Sequence, residues 1–215
     1  MKNIRVFGLL VTLLLFLHSC AEKIVVNRMV DSEKYGKILL GYQTRSQFQK
    51  EPFNTWYDYE YSNYEYDKNL VDNLRKMGIK THSIVLVLGT WCSDSQREVP
   101  RLMKILDAAG FPENRLKILS LTKSKESPGG EEMQFAIKKV PTIILYKYGK
   151  EIGRIVETPT NGSIERDLYD IIMSTKKVKK EPQNLQEKKQ KKPKKVRKVK
   201  NLLKKIIRKI PFSIF

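Results

Sequence analysis

Residues 83–95 read SIVLVLGTWCSDS, and this stretch decides the fold. Residues 84–88 are apolar without a break. Such a run is the pattern of a strand covered on both faces, as in a sheet that carries helices on each side. Gly89-Thr90-Trp91-Cys92 end it with a turn, and a helix follows through about Ala109, with Trp91-Cys92-Ser93-Asp94-Ser95 at its start. Cys92 therefore sits where a buried strand gives way to a helix. A cysteine there meets unpaired backbone N–H groups and the positive end of the helix dipole, both of which favour the thiolate.

Outward from this stretch the pattern continues in both directions. Asp67 can cap a helix with Leu70, Val71, Leu74 and Met77 on one face, closed by Gly78. A second buried strand is expected at residues 116–121, a turn at 127–130 and a short helix at 131–137. Residues 142–146 and 152–156 read as two strands joined by a tight turn at Gly149. Ser163 caps a last helix, with Ile164, Leu168, Ile171 and Ile172 facing inward. The order α-β-α-β-α-β-β-α predicts an α/β domain with a central mixed sheet flanked by helices. Upstream, residues 53–66 (FNTWYDYEYSNYEY) form an aromatic-rich extension. Tyr57, Tyr59 and Tyr61 alternate with Asp58 and Glu60, which predicts a short strand or extended segment. It could serve as a lid packed on the following domain or as a platform for a peptide or sugar.

The Trp-Cys-x-x-Ser sequence between a buried strand and a helix resembles the thioredoxin superfamily. Pro100 lies eight residues after Cys92, where thioredoxins kink this helix. Val140-Pro141-Thr142 resembles their cis-proline loop, and residues 141–149 (PTIILYKYG) the strand and turn that follow it. The likeness covers about residues 67–175. Residues 89–101 (GTWCSDSQREVPR), Gly129-Gly130-Glu131-Glu132 and residues 153–159 (GRIVETP) resemble thioredoxin-family lipoproteins of the Gram-negative envelope. The resemblance implies a thioredoxin-like fold with Cys92 as nucleophile, Ser95 donating a hydrogen bond to its sulfur and Trp91 shielding one side. It implies that Val140, Pro141 and Thr142 form the substrate edge, where the Val140 carbonyl and N–H pair with an extended client.

Two departures from thioredoxin set the chemistry. The resolving position is Ser95, and the position of the buried acid six residues before the nucleophile is Leu86. Cys92 can attack a disulfide and form a mixed disulfide with a client protein or small thiol. It cannot then release the client by internal attack. No cofactor is implied, but an external thiol is required as resolving partner. Asp94 suits the helix start yet disfavours a second anion nearby, so moderate activation is expected. The rival is a non-catalytic thioredoxin-fold binding module that keeps Trp91 and Cys92 as relics. A one-cysteine peroxidase is disfavoured, because the proline and threonine that support such a cysteine are not at the expected spacing.

Charge and the termini complete the picture. The 215 residues carry 42 Lys+Arg and 23 Asp+Glu, a formal +19. Residues 176–215 hold 17 Lys+Arg against Glu181 and Glu187, a net +15, so the domain itself is nearly neutral. This argues against nucleic-acid binding through a basic face of the domain. Two cysteines exclude a disulfide scaffold and a four-cysteine zinc site, and His18 and His82 form no metal constellation. Residues 1–19 read as a signal peptide: Lys2 and Arg5 precede an apolar run at 6–17, shorter than the about 20 residues a spanning helix needs. Leu17-His18-Ser19-Cys20 resembles a lipobox, which implies lipidation of Cys20. The protein would then be anchored to the inner or outer membrane, with its domain facing the periplasm. Residues 20–66 would be anchor linker and aromatic extension, and residues 176–195 a basic solvated linker. In residues 196–215, Val196, Val199, Leu203, Ile206, Ile207 and Ile210 fall at helical spacing opposite a basic face. Such a segment is expected to lie on an anionic membrane surface through Lys204, Lys205, Arg208, Lys209, Phe212 and Phe215. Docking on a protein partner is the alternative for this tail, and no nucleic acid is expected.

Overall fold

The computed structural model describes residues 25–176. The candidate lipidation residue Cys20 and the tail residues Lys204, Lys205, Arg208, Lys209, Phe212 and Phe215 lie outside the described residues. Two strands come first, β1 (Arg28–Ser32) and β2 (Gly36–Gln43). Helices α1 (Asn54–Asn63) and α2 (Lys68–Lys76) follow, then β3 (Ser83–Leu88) and α3 (Ser93–Ala108). The chain continues through β4 (Leu116–Ser120), β5 (Thr142–Lys147) and β6 (Lys150–Val156) into α4, which begins at residue 164. The six strands form one mixed sheet in the order β1-β2-β4-β3-β5-β6. β3 and β4 run parallel, with Leu86 opposite Ile118, and the remaining pairs are antiparallel.

The uninterrupted apolar run of β3 is explained by its central place. Ile84, Leu86 and Leu88 face a large core shared with Val71 and Leu74 of α2, Val99 and Leu102 of α3, and Ile164 and Leu168 of α4. Val85 and Val87 face a smaller cluster with Leu119, Phe135, Val140 and Ile144, against which Trp91 and Cys92 pack. Asp67 caps α2 by accepting from Asn69 N and Leu70 N, and Ser163 Oγ accepts from Arg166 N at the start of α4. Both caps stand where the sequence places them. The short helix expected at 131–137 is a single 3-10 turn, Glu131–Phe135.

Two differences concern residues before 67. Residues 28–43 form a hairpin whose second strand joins the sheet beside β4, so the sheet begins well upstream of the aromatic segment. That segment is the helix α1, not a strand. Trp56, Tyr57, Tyr61 and Tyr64 pack against the core, while Tyr59 is 66% exposed. The alternation is thus a by-product of a 3.6-residue stripe. Tyr57 stacks on Phe48 at 5.7 Å and on Tyr61 at 5.8 Å.

Polar contacts fasten α1 to α3. Arg45 donates to both Asp107 oxygens, and the Tyr61 hydroxyl donates to Asp107 Oδ2 at 2.7 Å. Burial opposes ionisation of Asp107, but the bonds from Arg45 and Tyr61 outweigh it and hold the carboxyl below its ordinary range. Burial and the Asp107 contact push the Tyr61 phenol up to about 12. A carboxyl depressed in the folded state adds stability that is present above its unfolded value, near 3.8, and lost as pH falls through the folded one. Asp107→Asn is therefore expected to lessen the fall in stability below about pH 4 relative to the parent, as read from urea midpoints between pH 2 and 7.

Candidate thiol site

The site is built where β3 meets α3. After Leu88 the chain turns through residues 89–92, closed by Cys92 N–H donating to Gly89 O at 2.9 Å. Cys92 is the N-cap of α3, in extended backbone conformation, and its own carbonyl accepts the first helical bond from Gln96 N. Its side chain is half-buried, and it is the free cysteine of the described residues. The thiol donates to Val140 O at 3.4 Å. The Val140–Pro141 bond is cis. Residues 48 apart in sequence thus meet at one sulfur.

The predicted substrate edge divides in two. Val140 N–H has no hydrogen-bond partner among the described residues. Among the described residues, Val140 O accepts from Cys92 Sγ alone. Pro141 and Thr142 instead hold the loop. Pro141 O accepts from Glu157 N at 2.7 Å, and Thr142 Oγ1, fully buried, donates to Lys139 O at 2.7 Å. Pro100 is buried in the second turn of α3, where its missing N–H leaves the helical ladder one bond short.

Ser95 is placed differently from the expectation that it donates to the sulfur. It is fully buried, and its Oγ accepts from Gly89 N at 3.3 Å. Its hydroxyl holds the turn that carries the cysteine, and the cysteine thiol is bonded to the proline loop instead. Asp94 also acts otherwise than as an unopposed negative charge. Arg97 donates to Asp94 at 2.8 Å and to the buried Glu98 at 2.7 Å, and these two carboxylates, Glu98 first, hold the guanidinium above its usual range.

Trp91 is fixed on three sides. Its Nε1 donates to Leu121 O at 2.8 Å, Lys123 Nζ lies 4.4 Å from its ring centre, and Tyr35 from the β1–β2 turn stands 6.0 Å away. Gly89 makes room for it: a Cβ there would lie 2.4 Å from Trp91 Cε2.

These observations, taken with the sheet order, settle the architecture: a parallel strand pair at the centre, a cysteine capping a proline-bearing helix, and a bond from that cysteine to the residue before a cis proline. The fold is thioredoxin-like. No protein-family model matches the chain, and no curated protein matches it. Among solved structures it is similar to a protein of unknown function from Pseudomonas aeruginosa, at 13% identity over 58% of this chain and 82% of that one, TM-score 0.39. It is similar also to oxidised mitochondrial thioredoxin 3 from Saccharomyces cerevisiae, at 20% identity over 54% and 98%, TM-score 0.31. Thioredoxin from Aeropyrum pernix shares 18% identity over 42% and 75%, TM-score 0.28.

Several residues of this site carry little local signature in the sequence. Thr90 is buried, and its Oγ1 accepts from Leu39 N at 3.1 Å, which ties the cysteine turn to β2. Gln96 Nε2 donates to Thr90 O at 2.8 Å. The only local hint was a polar residue directly before Trp91. Thr90→Val keeps the shape but leaves Leu39 N–H unsatisfied, a loss of about 2 kcal/mol, whereas Thr90→Ser should retain most of the stability. Urea unfolding of the two variants checks this. His82 is buried with Nδ1 3.1 Å from Gly78 O, and burial, then Lys147, holds its imidazole below the usual range. Among the described residues no group of three His, Cys, Asp or Glu is placed to hold a metal ion, and no helix is long and apolar enough to cross a membrane.

Proposed function

We propose that this chain is a membrane-anchored thioredoxin-like protein that uses one thiol to form mixed disulfides with client proteins or small thiols of the cell envelope. The contact between the half-buried Cys92 Sγ and Val140 O carries this reading. It sets a thiol at a helix N-terminus against a backbone edge whose N–H is unpaired among the described residues. When Cys92 loses its proton, Val140 O loses its donor, and both backbone groups of Val140 become available to an extended client.

The exchange balances without a cofactor. The Cys92 thiolate attacks one sulfur of the client disulfide, a new S–S bond forms, and the client's other sulfur leaves as a thiolate that takes up a proton. Ser95 offers an oxygen where a resolving sulfur would stand, so the adduct persists until an outside thiol attacks it. That thiol takes the client sulfur, and Cys92 is regenerated. A lipid on Cys20 and the basic tail of residues 196–215 would hold the domain at the inner or outer membrane of the envelope.

Isolation of the protein from its own cells with thiols blocked at lysis tests this reading. Intact mass should show a disulfide-linked adduct on Cys92 and an acyl group on Cys20. Loss of the adduct in Cys92→Ser, with loss of the cellular phenotype, is the expected companion result. Full function of Cys92→Ser, together with loss of function on removing residues 176–215, would replace this reading with that of a binding module.

A further inference from the structure

The end of the sheet far from Cys92 gathers exposed lysines. Cys92 lies at the end where β3 finishes and β5 begins, since Val87 pairs with Thr142. At the other end, where Ser83 pairs with Tyr146, the 147–150 turn, the close of α4 and the start of β4 come together. Along β5 the two ends are about 17 Å apart. The far end presents Lys80, Lys117, Lys150 and Lys176 exposed, with Lys147 half-buried. Tyr148, at the tip of the turn, is 83% exposed. The acids nearby are largely answered: Arg154 donates twice to Glu151 at 2.6 Å, and Arg75 lies 3.4 Å from Asp72. A cleft of about 620 Å³ between this turn and α4 is floored by Met77, Ile152 and Ile172 and edged by Lys147, Lys150 and Lys176. Lys176 is also the last described residue, and residues 177–215 carry 16 further Lys+Arg against two acids.

We propose that this end of the domain is itself a membrane-contact face for anionic lipid, continuous with the basic tail, and that it orients the Cys92 end away from the bilayer. An exposed tyrosine flanked by lysines suits the headgroup layer. The ring enters the boundary, Lys147 lies against it while donating to Thr81 Oγ1, and the exposed ammonium groups of Lys150 and Lys176 meet phosphate. Each lysine near an anionic surface adds attraction that fades within a Debye length, so a surface that departs together with the tail is held where those charges act. The thiol then faces clients in solution, not the membrane. The proposal rests on the tail lying at a membrane, and it is independent of the Cys92 chemistry.

The test uses the full chain without acylation and vesicles of phosphatidylglycerol and phosphatidylcholine at 1:3, with pure phosphatidylcholine as reference. K147E/K150E is expected to weaken binding to the anionic vesicles about tenfold, whereas K37E/K138E at the thiol end stays within about twofold. Matching circular dichroism spectra establish that both variants fold. Alkylation of Cys92 should run at the same rate on and off the vesicles. The proposal is overturned if K147E/K150E binds like the parent, if binding ignores anionic lipid, or if vesicles protect Cys92. Binding lost on tail removal but unaffected by K147E/K150E would leave the tail as the membrane contact and remove the domain face.

Discussion

Ser95→Cys is expected to convert a trapping site into a self-releasing one. Residue 95 lies one turn beyond the N-cap cysteine, on the same side of α3, and is fully buried. Its oxygen is held by a long bond of 3.3 Å from Gly89 N, so a sulfur there gives up little. In the parent a mixed disulfide on Cys92 waits for an outside thiol. In the variant the thiolate introduced at position 95 attacks Cys92 Sγ, an internal disulfide forms between the two, and the client leaves as a free thiol. The attacking group is tethered, so with no added thiol the adduct lifetime should fall by roughly a hundredfold or more. Following a peptide adduct by intact mass after removal of free thiol measures this. An adduct equally persistent in both proteins would mean that position 95 does not reach the reacting sulfur.

Gly89→Ala should be the most damaging single methyl group in the domain. The added Cβ would lie 2.4 Å from Trp91 Cε2 and 2.6 Å from Nε1. The indole is pinned by its bond to Leu121 O and by packing on the Val85 and Val87 cluster, so it cannot yield without losing one or the other. Overpacking together with one lost hydrogen bond costs about 3 kcal/mol. The urea midpoint should fall by roughly 1.5 M. In a Trp56→Phe background, Trp91 emission should shift as the ring leaves its pocket. Adduct formation at Cys92 should slow as well, because the same turn carries both residues. An unchanged midpoint and emission would show that the turn has more room than its geometry allows.

The features read correctly from sequence are local ones. A buried strand, a cysteine at a helix start, Asp67 and Ser163 as caps, and the Val140-Pro141 pair each depend on neighbours within a few residues. The features missed depend on distance. β2 is recognisable only through pairing with β4, as in Gly41 opposite Ser120, and its own apolar content is confined to residues 38–40 and Tyr42. The alternation in residues 53–66 predicts a strand, and the helix is instead secured by stacking on Phe48 and by Asp107, which lies 46 residues beyond Tyr61. At the site, the sequence marks Cys92 and Val140 but not their contact. The assignment of Ser95 to Gly89 rather than to the sulfur follows from burial, which a four-residue motif does not encode.

The central claim is that the fold makes Cys92 a thiol that enters mixed disulfides. It is tested most directly by offering the reduced, folded chain a peptide containing one disulfide and following the mass of the Cys92 segment. The same chain in urea supplies the reference rate. The place of Cys92 at the head of α3 predicts one peptide adduct on it, formed faster in the folded chain and stable until a thiol is added. A folded Cys92 that reacts no faster than the unfolded one and forms no adduct would contradict it.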